Sequence, residues 1–165
     1  MRVFIGVVAL ALGLLACGQP QAQSVSDDPV ERFAPDDATM NAAIADARSG
    51  LPRFWELYQN NDGSDFMLKV GFPTPDGNTE HIWVGGIQRS ATGITAIVQN
   101  EPVNVPSLRF GARTSIDEAL ISDWALTRNG RMYGHYTTRV VVASLPPSEQ
   151  VQYADFIAGI EQGVP

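Results

Sequence analysis

The sequence predicts an α+β fold with an antiparallel sheet, and three observations support this class. Short segments between residues 66 and 142 alternate apolar and polar side chains, which is typical of half-buried strands. Turn residues separate these segments, and stretches with helical spacing flank them on both sides. The short strands and the pair Gly85-Gly86 indicate a bulge or bend, so we expect a strongly curled sheet or a partial barrel.

The N-terminal helical segment is predicted from an apolar stripe. Met40, Ile44, Ala47 and Leu51 recur at helical spacing, and Asp36 or Asp37 can cap the helix. Gly50 and Pro52 interrupt the pattern, and proline suits the first turn of a helix, so we expect a second short helix there. That helix presents an aromatic cluster to the core, made of Phe54, Trp55 and Tyr58.

Strands are expected next, at residues 66–72, 80–89, 94–99 and 113–116, with turns at 75–78 and 92–93. Residues 121–142 are then predicted to form two strands joined by a turn at Asn129-Gly130. Asparagine and glycine both accept the positive φ of a type I′ turn. Prolines 146 and 147 end the sheet, and Ser148 caps a C-terminal helix.

In the outgoing strand of this hairpin, alternate residues form a polar ladder, and we expect this ladder to be a binding face. The ladder consists of Tyr133, His135, Thr137 and Arg139. Arg139 is suited to clamp an anionic group in a bidentate way. The alternative is that the ladder lies under a terminal helix, where Arg139 satisfies an acid such as Glu56 or Asp155.

Composition excludes some classes of function. The chain has 165 residues, 44% hydrophobic content and a net charge of −7. These values describe one globular domain with accessory segments, and the absence of a basic stripe argues against a nucleic-acid partner. Acidic residues are concentrated in residues 27–65, whereas residues 107–142 are mildly basic. The two parts could attract each other or the basic part could meet an anionic partner, but two solvated surfaces are the favoured interpretation.

The N-terminus predicts export. Arg2 precedes the apolar run of residues 3–15, which is shorter than the about 20 residues that span a bilayer. The run ends in Leu14-Leu15-Ala16-Cys17, which resembles the lipobox of bacterial lipoproteins. That resemblance implies cleavage before Cys17 and lipidation of this cysteine, with anchoring at the periplasmic face of the outer membrane.

These features divide the chain into four parts. Residues 1–16 are predicted as a lipoprotein signal peptide and residues 17–35 as the lipidated cysteine with a flexible tether. Residues 36–147 form the α+β domain, and residues 148–165 form the C-terminal helix. The membrane is thus the first predicted partner, through the lipid on Cys17.

A family resemblance rests on four short motifs within residues 40–142. They are His81-x-Trp83, Asn100-Glu101-Pro102, Ile121-x-Asp123-Trp124 and Gly130-x-x-x-Gly134-x-x-Thr137. Together they resemble the YegJ-like bacterial lipoprotein family, a domain of unknown function (2314). The resemblance implies a compact α+β module that is often secreted or lipid-anchored, without an established activity.

The remaining candidate site residues are His81, His135 and Glu101. A zinc enzyme needs about three protein ligands, which here means both histidines and a carboxylate, so packed or surface histidines are favoured. Asp123 is expected to accept backbone hydrogen bonds while Trp124 fills the core. No phosphate loop, nucleophile elbow or dinucleotide fingerprint is present, so no cofactor is predicted.

We therefore expect a non-catalytic module that binds a small polar ligand or another envelope protein. The predicted binding residues are His135, Arg139, Tyr133, Glu101 and His81. The alternative is a small hydrolase that uses His81 or His135 with Glu101.

Overall fold

The computed structural model describes residues 37–161 and residue 163. The predicted signal peptide, Cys17 and the tether lie outside these residues. The helices are α1 (Ala38–Gln59), α2 (Tyr136–Ser144), α3 (Pro147–Gln150) and α4 (Ala154–Ala158), with 3-10 turns at Glu118–Leu120 and Val151–Tyr153. The strands are β1 (Ser64–Pro73), β2 (Thr79–Ser90), β3 (Gly93–Val98), β4 (Arg113–Ile116), β5 (Ile121–Arg128), β6 (Arg131–Gly134) and β7 (Ile160–Glu161).

The strands form one open sheet in the order β4-β3-β2-β1-β5-β6-β7. Every pairing is antiparallel except that of β6 with β7. The predicted α+β class is confirmed, and the sheet does not close into a barrel. Register shifts occur between Gly85 and Gln88 and between Lys69 and Val70, so the strands bend at the predicted glycine pair and also on β1.

Helix α1 covers one face of the sheet, and its continuity corrects the prediction of two helices. Asp37 caps it by accepting a hydrogen bond from the Met40 amide at 2.7 Å. The helix continues through Pro52, which removes only one intrahelical hydrogen bond. Trp124 of β5 packs at this point: its Nε1 donates to the Ala47 carbonyl at 2.7 Å. Packing against the sheet therefore outweighs the local preference of proline.

The hydrophobic core lies between α1 and this face of the sheet. A buried cluster joins aromatic side chains of α1 to aliphatic side chains of β1, β2, β3 and β5. Its largest fully buried members are Trp124, Phe54, Leu57 and Leu68. A smaller cluster of Ile82, Val98 and Val105 continues the core under the connection between β3 and β4.

The hairpin turn at Asn129-Gly130 is confirmed, with φ angles of 52° and 74°. The long outgoing strand is wrong, however, because β6 ends at Gly134 and helix α2 follows. Gly134 has a φ of 89°, and a Cβ atom there would lie 2.0 Å from the Trp124 carbonyl oxygen. His135 is also left-handed, with φ 54°. Two successive left-handed residues end a strand, so the polar ladder of alternating residues does not exist.

The predicted C-terminal helix is present as consecutive short helical turns over residues 147–158. The chain then adds β7, which pairs in parallel with β6 through Met132 and Ile160. Across the described residues, no helix is both long and apolar enough to cross a membrane.

Candidate functional site

The two histidine candidates lie on the sheet face opposite α1, beside a group of buried polar residues. On β1, β2 and β5 the strand register places Lys69 opposite both Trp83 and Asp123. These three residues are buried. His81 lies two residues before Trp83 on β2, so its side chain emerges on the same face.

Asp123 links β5 to the N-terminus of α2. Its Oδ2 accepts hydrogen bonds from the amide and the hydroxyl of Thr137, both at 2.7 Å. Its Oδ1 accepts from the amides of Trp124 at 2.8 Å and Tyr136 at 3.2 Å. The carboxylate therefore satisfies amides in the first turn of α2 that have no partner within the helix. The expectation that Asp123 accepts backbone hydrogen bonds while Trp124 fills the core is confirmed.

Burial and charge act in opposite directions on this carboxyl group. Its complete burial raises the pKa of Asp123, whereas the hydrogen bonds from Thr137 and the positive charge of Lys69 lower it. The Lys69 ammonium is also near the Trp83 ring, 5.4 Å from the centroid, and 3.4 Å from the Thr137 hydroxyl. Lys69 thus provides a buried positive charge beside a buried acid.

His135 is part of the packing on this face. Its ring lies 5.2 Å from the Trp83 ring and 5.1 Å from the Phe156 ring, measured between centroids. Its amide donates to the Trp124 carbonyl at 3.0 Å. The residue therefore joins the turn after β6 to β2 and to α4.

His81 contacts a buried serine. Its Nδ1 lies 2.8 Å from the Ser122 Oγ, and that hydroxyl donates to the Lys69 carbonyl at 3.3 Å. Burial against β5, followed by the positive charges of Lys69 and Arg48, lowers the pKa of His81 to about 4. The residue as a whole is exposed, so solvent screens part of this effect.

The pair of His81 and Ser122 has the composition of a base and a nucleophile, but its geometry is that of a structural contact. A serine hydroxyl has one proton, which Ser122 donates to the backbone carbonyl of Lys69. Nδ1 of His81 must then be the donor toward the Ser122 oxygen. Ser122 is also 2% exposed, so a substrate has no access to its oxygen. Within residues 37–161, no three His, Cys, Asp or Glu side chains are grouped closely enough to hold a metal ion.

The predicted binding residues do not share one surface. Tyr133 is buried in the core. Arg139 is half-buried on α2, donates to the Glu161 carbonyl at 3.0 Å, and lies 5.6 Å from the centroid of the Tyr136 ring. Glu101 is exposed on the loop between β3 and β4. His135 packs on the Trp83 ring, and His81 lies two residues from Trp83 along β2. Binding by these five side chains stays a prediction.

Sequence reasoning missed Lys69 and Ser122. Lys69 interrupts an apolar strand and faces away from Leu68 and Val70, which is how an exposed lysine also looks in sequence. Ser122 reaches His81 only because the register shifts between Lys69 and Val70. No sequence pattern indicates that shift.

The loop of residues 99–112 is the second candidate region. The side-chain carbonyl of Asn100 accepts from the Trp83 amide at 2.7 Å. The Glu80 carboxylate accepts from the amides of Val103 at 2.8 Å and Asn104 at 2.6 Å. Val105 packs into the smaller core cluster. The loop is therefore held at several points along its length.

Two apolar side chains of this loop point to solvent: Val103 is 69% exposed and Phe110 is 54% exposed. Loops of about 12 residues or more without secondary structure are uncommon in compact domains and are often functional. The loop thus combines an ordered backbone with two exposed apolar side chains.

The fold and these sites define an open-sheet α+β domain in which buried polar groups fasten a helix to the sheet. The chain belongs to the bacterial family described as "Uncharacterized protein conserved in bacteria (DUF2314)", whose model matches residues 37–161. The resemblance found in the sequence is thereby confirmed.

Two relatives illustrate the family. The chain is 31% identical to "Uncharacterized protein YegJ" of Escherichia coli (strain K12) over 114 residues, which are 69% of this chain and 74% of that protein. It is 30% identical to "Putative ankyrin repeat protein NMB1133/NMB1171" of Neisseria meningitidis serogroup B (strain ATCC BAA-335 / MC58) over 116 residues. This match covers 68% of the chain but only 46% of the Neisseria protein. No solved structure matches the chain significantly.

The lowered pKa of His81 predicts a specific dependence of stability on pH. A histidine whose pKa is lower in the folded than in the unfolded state contributes stability above its unfolded value of 6.5, and this contribution is lost as the pH falls toward about 4. Urea unfolding of the wild type and of His81→Gln across this range measures the effect. We expect the wild type to lose more stability on acidification than the variant. Equal losses would show that His81 titrates as in the unfolded chain.

Proposed function

We propose that the protein is a lipid-anchored protein of the bacterial cell envelope whose domain binds another envelope protein and catalyses no reaction. The apolar run and the lipobox-like sequence before Cys17 support the anchor. The observation that carries the binding role is the loop of residues 99–112, which is fastened to the sheet and exposes Val103 and Phe110.

Preorganisation favours this loop as a recognition element. A loop that is already ordered loses little conformational entropy when a partner binds. Aromatic side chains such as Phe110 are enriched at the centres of protein interfaces, where they lose contact with water. Glu101, a predicted binding residue, lies on the same loop and supplies a charged group for the rim of such an interface.

The hydrolase alternative receives less support from the geometry. Ser122 is buried beside His81, and the His135 ring packs between two aromatic rings. The candidate side chains for chemistry thus contribute to packing and hydrogen bonding within the domain.

The anchor is tested by the variant Cys17→Ser. Lipidation requires the cysteine thiol, so we expect the variant to incorporate no radiolabelled palmitate in cells. Labelling that persists in Cys17→Ser would contradict the anchor. Membrane fractionation adds a second readout, because the wild type should stay with membranes after a high-salt wash.

The proposed recognition loop, residues 99–112, is tested by photo-crosslinking in cells of a bacterium that expresses the protein. A photoreactive phenylalanine analogue replaces Val103 or Phe110, and we expect a discrete crosslinked product with a second protein from both positions. Val151 is the matched control, because it is apolar and 73% exposed but lies in the C-terminal segment. The analogue at position 151 should give no such product.

A second variant tests whether crosslinking depends on the conformation of the loop or only on its exposed apolar side chains. Glu80→Gln weakens the charge-assisted hydrogen bonds to the amides of Val103 and Asn104. It changes no residue of the loop itself. We expect crosslinking from position 103, whose amide Glu80 holds, to fall severalfold in this background. The absence of a product at positions 103 and 110, or the same products from all three positions, would overturn the binding role of the loop.

A further inference from the structure

An open groove of about 510 Å³ lies between α1, the end of β2 and the 3-10 turn at Glu118–Leu120. Its volume falls within the range of small-molecule sites, about 300–1,000 Å³. The groove is lined by residues of α1 from Arg48 onward, together with Arg89 and Glu118. It is built from residues other than those of the recognition loop and does not depend on the proposed function.

Arg48 provides a fixed positive charge at this groove. Its Nε donates to the Ile121 carbonyl and its Nη2 to the Ala119 carbonyl, both at 2.9 Å. These neutral acceptors hold the guanidinium in place without neutralising it. Among the described residues, Arg48 makes no salt bridge, and its Nη1 makes no hydrogen bond.

The acids of the groove are already occupied by other groups. Glu56 forms a salt bridge with Arg53 at 2.8 Å. Glu118 accepts a hydrogen bond from the Trp55 indole nitrogen at 2.7 Å and pairs with Arg89 at 3.3 Å. Both carboxylates pair with other arginines, so the Arg48 guanidinium remains available to pair with an anion.

The side of the groove beside Arg48 is apolar. Leu51 and Pro52 follow Arg48 on α1, and Trp55 lies one helical turn after Leu51. The guanidinium of Arg89 stacks on the Trp55 ring, with its Cζ 4.3 Å from the ring centroid. This contact and the hydrogen bond to Glu118 fix the orientation of the indole, which is itself buried. The apolar surface that is open to a ligand is therefore that of Leu51 and Pro52.

We propose that this groove binds a small organic anion whose carboxylate pairs with Arg48 and whose apolar body lies against Leu51 and Pro52, next to the indole of Trp55. A guanidinium presents its N–H donors in a fork that matches a carboxylate. The groove is open and shallow, so one ring system with one acidic group fits it better than a large ligand.

The test uses 2-naphthoate as the anionic probe and 2-naphthamide as a neutral control of almost the same shape. Titration of the folded protein is followed by NMR, through the indole N–H signals of the three tryptophans, with the Trp55 signal assigned from Trp55→Phe. We expect 2-naphthoate to shift the Trp55 signal with a dissociation constant of about 1 mM or tighter. The amide should bind at least tenfold more weakly, because it lacks the charge that pairs with Arg48.

Two matched variants test whether Arg48 supplies the positive charge that pairs with the carboxylate of 2-naphthoate. Arg48→Gln should weaken 2-naphthoate binding roughly tenfold or more. Arg131→Gln makes the same change of charge on β6, outside both the groove and the loop of residues 99–112, and should leave binding within about twofold. Arg48→Gln also removes two hydrogen bonds to backbone carbonyls, so the comparison of naphthoate with naphthamide on the wild type decides the matter if that variant does not fold.

Three results would overturn the proposal. They are equal binding of naphthoate and naphthamide, unchanged naphthoate binding by a folded Arg48→Gln variant, and the absence of a shift at Trp55, whether or not Trp83 or Trp124 shifts.

Discussion

The Asp123 carboxylate is the contact on which the second half of the fold depends. It accepts hydrogen bonds from Trp124, Tyr136 and Thr137, and so fixes the first turn of α2 against β5. The preceding residues, Gly134 and His135, are both left-handed, and this turn directs the chain from β6 into the helix. A carboxylate at the N-terminus of a helix is favourable both for its hydrogen bonds and for the helix dipole.

Asp123 is also part of a group of buried polar residues that stabilises the sheet face opposite α1. Lys69 lies beside Asp123, Trp83 covers Lys69, and His135 packs on Trp83. Removing one member leaves a neighbouring buried polar or charged group without its partner, which costs more than an exposed contact does. Groups under such constraints are poorly placed to exchange partners with a substrate, whereas Val103 and Phe110 of the loop of residues 99–112 and the groove beside α1 are open to solvent.

Much of the fold follows from sequence patterns that act locally. The turn at Asn129-Gly130, the alternation in β1 and the stripe of α1 are each determined by residues close in sequence. Helix α2 is different. Thr137, Thr138 and Val140–Val142 are β-branched and fit a strand by propensity. The helix forms there because Asp123, which is distant in sequence, satisfies its first amides. The helix around Pro52 also could not be predicted from local sequence, because packing of Trp124 against Ala47 keeps α1 continuous.

The candidate site was harder to predict than the fold. His81, His135 and Glu101 are conspicuous residue types, and sequence alone could name them. Their neighbours depend on strand register: Ser122 meets His81 through a shifted pairing, and Lys69 meets Asp123 across β1 and β5. The groove combines α1 with Arg89 and Glu118, which only tertiary packing brings together.

The most direct test of this account is the stability of Asp123→Ala compared with Asp117→Ala in urea unfolding. Asp117 also accepts an amide hydrogen bond, from Ala119 at 3.0 Å, but it caps an exposed 3-10 turn. We expect Asp123→Ala to lose about 3–5 kcal/mol, because it leaves buried donors and the charge of Lys69 uncompensated. Asp117→Ala should lose about 1 kcal/mol, as an ordinary cap does. An Asp123→Ala variant as stable as the wild type would contradict the account, because the carboxylate would then not be holding α2 on the sheet.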